Sequence, residues 1–211
     1  MATNNITAQD ISALRPSSKY EALLFDWDGT VANTQRVNFE VLKAALAKYD
    51  LPLEWSWFAE RTGTSAHELV SQVAAIHDKA VDPDAIATER DERFLKRLSE
   101  IELVDYMADL VGEVSASGRI VALASGGSAK TIMPVLVNSR LGEMFDVVVS
   151  RDDVERGKPA PDIFLKAAAQ CGVEPGKCLV YEDSDEGLSA ARAAGMDSID
   201  VRAVRALRLG Y

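Results

Sequence analysis

Asp26 and Asp28 stand one residue apart in "LLFDWDGT" (23–30), directly after an apolar run and directly before Gly29. Read alone, such a pair is an acidic turn at the end of a strand. Three more polar features occupy comparable places. Ser125 follows "RIVALA" (119–124) within "ASGGS", and Lys158 lies in "RGKPAPD" after "FDVVVS" (145–150). Glu182 and Asp183 come at the end of "KCLVYE" (177–182), within "YEDSDEG". Taken singly, these are a turn serine, a solvated lysine and an acidic helix start. Four such features at consecutive strand ends are hard to assign to turns.

Converging carboxylates repel one another unless a divalent cation sits among them. An oxygen-only donor set that keeps several waters suits Mg²⁺, with Asp26, Asp28, Glu182 and Asp183 as the expected ligands. A carboxylate nucleophile there can form an aspartyl-phosphate and split one difficult displacement into two. Lys158, the Ser125 hydroxyl and the N–H groups of Gly126 and Gly127 are expected to bind the remaining phosphate oxygens. A second carboxylic acid two residues on can protonate the leaving alcohol and then activate water. Asp26 is thus the expected nucleophile and Asp28 the acid/base.

The elements that must hold these groups are legible as short apolar runs: 21–25, 119–124, 145–150, 177–182 and "DSIDV" (197–201). Near-continuous Val, Leu, Ile and Ala is the pattern of strands buried on both faces of a parallel sheet. Helical patterns alternate with them, "DIFLKAAAQCG" ending at Gly172 and "DEGLSAARAAG" at Gly195, so the fold expected is α/β and doubly wound. In "TIMPVLVNSRLG" Pro134 predicts a late start or a kink. Residues 35 to 117 show helical pattern and no strand. Two domains follow: a core of residues 1–34 and 104–211, and an inserted helical domain of residues 35–103. Ligands in open α/β sheets sit at the carboxyl ends of the strands, and an insertion leaving from that edge hangs over the site as a lid.

The chain of 211 residues is 47% hydrophobic, enough for one good core and a smaller appended one. Its 33 Asp and Glu against 23 Lys and Arg give a formal charge of −10, which repels nucleic acid and anionic membranes. Neither is an expected partner. Cys171 and Cys178 make a poor disulfide framework and lack metal-site spacing. No apolar run approaches the ~20 residues of a spanning helix, and the N-terminal stretch has no apolar leader segment. The expectation is a soluble cytoplasmic monomer acting on a small phosphorylated metabolite.

The set "FDWDGT", "ASGGS", "GKPAPD" and "YEDSDEGLSAARAAGM" resembles the haloacid dehalogenase superfamily, in its phosphatase branch with an inserted helical cap. The likeness covers roughly residues 20 to 202 and is greatest to β-phosphoglucomutase-like and fructose-1-phosphate phosphatase-like members. It implies a Rossmann-like core, a Mg²⁺-dependent sugar phosphatase, Asp26 as nucleophile and Asp28 as acid/base. It also implies Ser125 and Lys158 as phosphate ligands, Asp183 as a magnesium ligand and Glu182 beside it. Thr34 falls at the hinge into the cap and is grouped with His67, Gly126 and Gly127 as substrate-binding.

Departures from the family pattern bear on the leaving group. Where members carry further acidic residues and then a histidine, "ANTQRVN" places Asn33, Gln35 and Asn38. Gly127 replaces a second phosphate-binding serine. The loop "GTSAHE" (63–68) lacks the arginine with which mutases hold a distal phosphate, and His67 is its nearest candidate. A phosphosugar mutase is therefore the enzymatic runner-up, and a catalytically idle metabolite-binding module the alternative from another class. Trp55, Trp57 and Phe58 read as cap-core packing ahead of pocket lining, and His77 as a surface helix residue. Arg90, Arg93, Lys96 and Arg97 read as a solvated helix face beside neighbouring acids.

Overall fold

The structure, a computed structural model, describes residues 3–8 and 10–204. Positions 1, 2, 9 and 205–211, assigned above to the core domain, lie outside the described residues. Among the described residues six parallel strands form one sheet in the order β1-β6-β5-β2-β3-β4. They are β1 (Asn5–Thr7), β2 (Ala22–Phe25), β3 (Ile120–Ala124), β4 (Val147–Val149), β5 (Cys178–Glu182) and β6 (Asp197–Asp200). β2 is central, with Leu23 opposite Val121 on one side and Leu179 on the other.

Burial on both faces follows from the two-residue period of a strand. Leu23, Phe25, Val121, Leu123, Leu179 and Tyr181 point into one core cluster, with Phe25 and Tyr181 stacked at 4.6 Å. Their neighbours Ala22, Leu24, Ala122, Ala124, Cys178 and Val180 point into the other. Helices α5 (Asp105–Ala116) and α6 (Ala129–Val137) cover the first face through Met107, Val111, Ile132 and Leu136. Helices α7 (Asp162–Cys171) and α8 (Asp185–Ala193) cover the second through Ile163, Phe164, Ala190 and Ala191. The expected doubly wound α/β architecture is the observed one. α6 does not start late: it begins at Ala129 and runs through Pro134. Strand β1 had no sequence signal, being three residues long at the sheet edge.

Between β2 and α5 lie four helices, α1 (Gln35–Leu46), α2 (Trp55–Ala59), α3 (Ala66–Ile76) and α4 (Pro83–Leu95). Their starts are written locally. Ser65 and Glu68 form a capping box at α3, and Asp82 accepts from the N–H groups of Asp84 and Ala85 ahead of Pro83 at the first turn of α4. Leu42, Leu46, Phe58, Leu69, Val73 and Ile86 give this segment a hydrophobic cluster of its own. The chain enters and leaves it side by side. Ala32 bridges Leu103, the Asn33 N–H donates to the Glu102 carbonyl, and the Val104 N–H donates to the Val31 carbonyl. No helix among the described residues is long and apolar enough to cross a membrane.

Candidate active site

The carboxyl edge of the sheet collects the polar groups. β2 delivers Asp26 and Asp28, β3 delivers Ser125, β5 ends on Glu182 with Asp183 next, and the loop after β4 brings in Lys158. Gly29 makes this crowding possible. Its φ is +89°, and a Cβ there would run into the Asp183 carboxylate and the Gln35 amide.

Two knots of side chains result. In the first, Lys158 Nζ donates to Asp26 Oδ1 at 2.5 Å and to Glu182 Oε2 at 2.7 Å, with all three side chains at most 1% exposed. Glu182 Oε1 accepts from the Asp183 and Ser184 N–H groups at 3.0 Å and from the Ser184 hydroxyl at 2.7 Å. Asp183 accepts from Gln35 Nε2 at 2.9 Å and from the Thr30 hydroxyl at 3.4 Å. Burial drives the Asp26 carboxyl well above the usual carboxylate range; Glu182 pushes it further, and Lys158 opposes both. Burial works against the Lys158 charge, yet Asp26 and Glu182 hold its ammonium above the ordinary lysine value.

Asp26, Glu182 and Asp183 each offer a carboxylate oxygen within 4.8 Å of the others. Asp26 Oδ2 is buried and has no hydrogen-bond partner among the described residues. Three converging carboxylates, one of them with an orphaned oxygen, fit a divalent cation. Asp28, expected as a fourth ligand, is not in this group. Its carboxylate turns into a second knot, where Oδ1 accepts from Thr34 Oγ1 at 2.5 Å and Asn38 Nδ2 at 2.9 Å. Oδ2 accepts from Ser125 Oγ at 3.3 Å, and Ser125 Oγ in turn accepts from the Gly127 N–H at 3.0 Å.

A cavity of about 420 Å³ opens between the helical segment and the sheet edge, lined by Asp28, Gly126 and Gly127 from the sheet side and by His67 from the helical segment. His67 Nε2 lies 3.5 Å from the exposed Asp84 carboxylate. Thr34, expected among the substrate-binding residues, is fully buried away from this cavity because its hydroxyl is taken by Asp28. Asp26 and Lys158 are buried as well and are not among the residues lining it. The helical segment presses on the site: a Cβ on Gly126 would strike the Gly63 carbonyl oxygen, and Ser128 Oγ donates to Asp91 Oδ2 at 2.8 Å.

The residue that sequence reasoning placed wrongly is Arg90. It is 8% exposed, donates to Asn38 Oδ1 and to Asp91 Oδ1 at 2.7 Å, and lines the cavity. The signal was present, since Ile86, Arg90 and Phe94 recur every four residues and share one buried face of α4. Arg93 and Arg97 do lie on a charged outer face, paired with Glu89 and with Glu40 and Glu100. Phe58 both packs in the helical cluster and lines the cavity, while Trp55 is 47% exposed and meets Phe39 edge-on.

The profile of the haloacid dehalogenase-like hydrolases matches residues 23–201. The chain is 33% identical over 188 residues to the fructose-1-phosphate phosphatase YqaB of Escherichia coli strain K12, covering 87% of this chain and 97% of that one. A CbbY variant from Rhodobacter sphaeroides, crystallised in complex with xylulose-(1,5)bisphosphate, superposes with a TM-score of 0.76 at 28% identity, over 85% of each chain. The β-phosphoglucomutase of Clostridium difficile shares the fold, with a TM-score of 0.78 at 21% identity, covering 88% of this chain and 87% of that one.

Proposed function

The chain belongs to the haloacid dehalogenase-like hydrolase family and is a phosphatase of it; from that premise we propose that it hydrolyses a sugar phosphate or similar small phosphorylated metabolite through a phosphorylated Asp26, with Mg²⁺. The observation that carries the reading is the buried Asp26 carboxylate, held through Oδ1 by Lys158 while Oδ2 has no partner among the described residues. A cation held by Asp26, Glu182 and Asp183 would neutralise phosphate oxygens, so that an anion can attack an anion.

The chain's own groups divide the remaining work. Lys158 fixes the direction of the Asp26 carboxylate and offsets the charge of its surroundings. The Ser125 hydroxyl and the Gly126 and Gly127 N–H groups bind the transferred phosphoryl oxygens, and Asp26 takes the phosphorus as the alcohol departs. Asp28 gives that alcohol its proton, then accepts one from the water that cleaves the acyl phosphate. The bonds from Thr34, Asn38 and Ser125 aim the Asp28 carboxylate for both transfers.

We assign residues 35–103 to a cap that opens to admit substrate, because Asp26 is only 1% exposed in the arrangement seen. The linkers that pair Val31–Asn33 with Glu102–Val104 are its hinge. The experiment is phosphate release from a panel of sugar phosphates, nucleotides and pyrophosphate, with and without Mg²⁺, for the native protein and Asp26→Asn. Hydrolysis of at least one sugar phosphate by the native protein and only a trace by Asp26→Asn are expected. Substantial activity in the folded variant refutes the nucleophile.

A further inference from the structure

We propose that Gln35 shifts the choice of cation towards Mg²⁺ and away from Ca²⁺, by keeping the Asp183 carboxylate from offering both its oxygens. This rests on the cation reading above and assigns a positioning residue to that site. Ca²⁺ accepts a carboxylate through one oxygen or two and gathers roughly six to eight ligands. Mg²⁺ demands a near-octahedral set and keeps several of its waters, with few carboxylates around it. A site that holds each carboxylate by one arm therefore suits the smaller ion.

All three converging carboxylates are held in that way. Lys158 Nζ donates to Asp26 Oδ1 at 2.5 Å, while Asp26 Oδ2 is the buried oxygen without a partner among the described residues. Glu182 Oε1 takes the N–H groups of Asp183 and Ser184 and the Ser184 hydroxyl, and Glu182 Oε2 takes Lys158. A buried lysine and the backbone thus fix these two. Asp183 is fixed from the cavity side. Gln35 Nε2 donates to its Oδ2 at 2.9 Å, and Gln35 is a half-buried residue that lines the cavity and opens α1. The amide must present its nitrogen there, because an ionised carboxylate only accepts. Gly29 leaves the room, since a Cβ at that position would run into both partners of the bond. Binding through both Asp183 oxygens would have to break this bond. Ca²⁺ is the ion that gains from two-oxygen binding, so loss of the donor helps Ca²⁺ more than Mg²⁺.

The test is calorimetric titration of the full chain with Mg²⁺ alone and with Ca²⁺ alone, for the native protein, Gln35→Met and Gln35→Leu. Both substitutions remove the N–H donor without adding a charge, and circular dichroism in chelator identifies the variants that fold. The ratio of the Ca²⁺ to the Mg²⁺ dissociation constant should fall by about tenfold or more in each folded variant. That is the scale on which groups behind metal ligands alter affinity. A role in packing alone would weaken both ions alike, so an unchanged or raised ratio in a folded variant would overturn the proposal. Two failures are told apart by the native titration. If the native protein binds neither ion, the cation site falls and this proposal with it. If it binds Mg²⁺ and the ratio does not move on substitution, the cation site stands and only the role of Gln35 is lost.

Discussion

Replacing Lys158 with methionine keeps most of the side-chain volume and removes one charge. The ammonium lies 2.5 Å from Asp26 and 2.7 Å from Glu182, and none of the three side chains is more than 1% exposed. Removing one partner of a buried ion pair typically costs about 3–5 kcal/mol, because the charge left behind has neither water nor a counter-ion. For a chain of this length each kcal/mol moves the midpoint by about 2–4 °C, so Lys158→Met should lower Tm by roughly 6–20 °C in chelator. Excess Mg²⁺ should recover much of that loss, since a cation bound by Asp26, Glu182 and Asp183 replaces the missing positive charge. The assay is thermal unfolding followed by circular dichroism, native against variant, with chelator and with millimolar Mg²⁺. A chelator-state shift below about 2 °C would refute the idea that Lys158 neutralises the buried acids. Equal shifts with and without Mg²⁺ would refute the cation site.

Phosphate release should vanish on chelation, return with Mg²⁺ and be inhibited by Ca²⁺, whose larger coordination sphere disturbs in-line attack; full turnover in excess chelator would exclude a metal role. Gly126→Ala should lower kcat/KM by about tenfold or more with little change in Tm, because the added methyl meets the Gly63 carbonyl and keeps the cap from seating; an unchanged kcat/KM would rule out that contact as the closed state. Asn38 has no proton to take up where mutase-like members carry histidine, so β-glucose 1-phosphate with a bisphosphate primer should yield phosphate; faster formation of glucose 6-phosphate would overturn the hydrolase assignment. The Ser150 N–H and then its hydroxyl, each at 2.8 Å, hold Asp153 below the usual carboxylate range. Its folded value is thus lower than its unfolded one, so its stabilisation is complete above about pH 4 and fades as pH falls through the folded value. Asp153→Asn should flatten the acid limb of a stability–pH curve slightly, and an unchanged limb would contradict this.

Strands β2 to β6 were legible as short apolar runs bounded by turn residues, most clearly β2, β3 and β5, where cover on both faces leaves little choice but Val, Leu, Ile, Ala and aromatic residues. β1 was not, since an edge strand of three residues pairs with β6, some 190 positions away, and leaves no local pattern. At the site, the sequence indicated which carboxylates share the sheet edge but not which way each turns. Asp28 faces Thr34, Asn38 and Ser125 because those donors surround it, which only the folded geometry reveals. Asn38 and Gln35 stood out as departures, yet the partners that give them meaning, Arg90 and Asp183, lie 52 and 148 positions away. Arg90 was misread because charge was weighed ahead of its four-residue spacing from Ile86 and Phe94.

Thr34 and Asn38 both bond Asp28 Oδ1, and both belong to the stretch just past the paired linkers, where the chain turns into α1. On the mechanism proposed above, the carboxylate assigned to proton transfer is therefore tied to the junction between the sheet and the helical segment. If residues 35–103 swing away from the sheet edge as proposed, α1 would carry off the Asn38 donor and pull on Thr34 at its root. Enclosure of the substrate and readiness to move a proton would then be one event. An open enzyme would be left with a loosely aimed Asp28, and so with little capacity to protonate a leaving group before the substrate is sealed in.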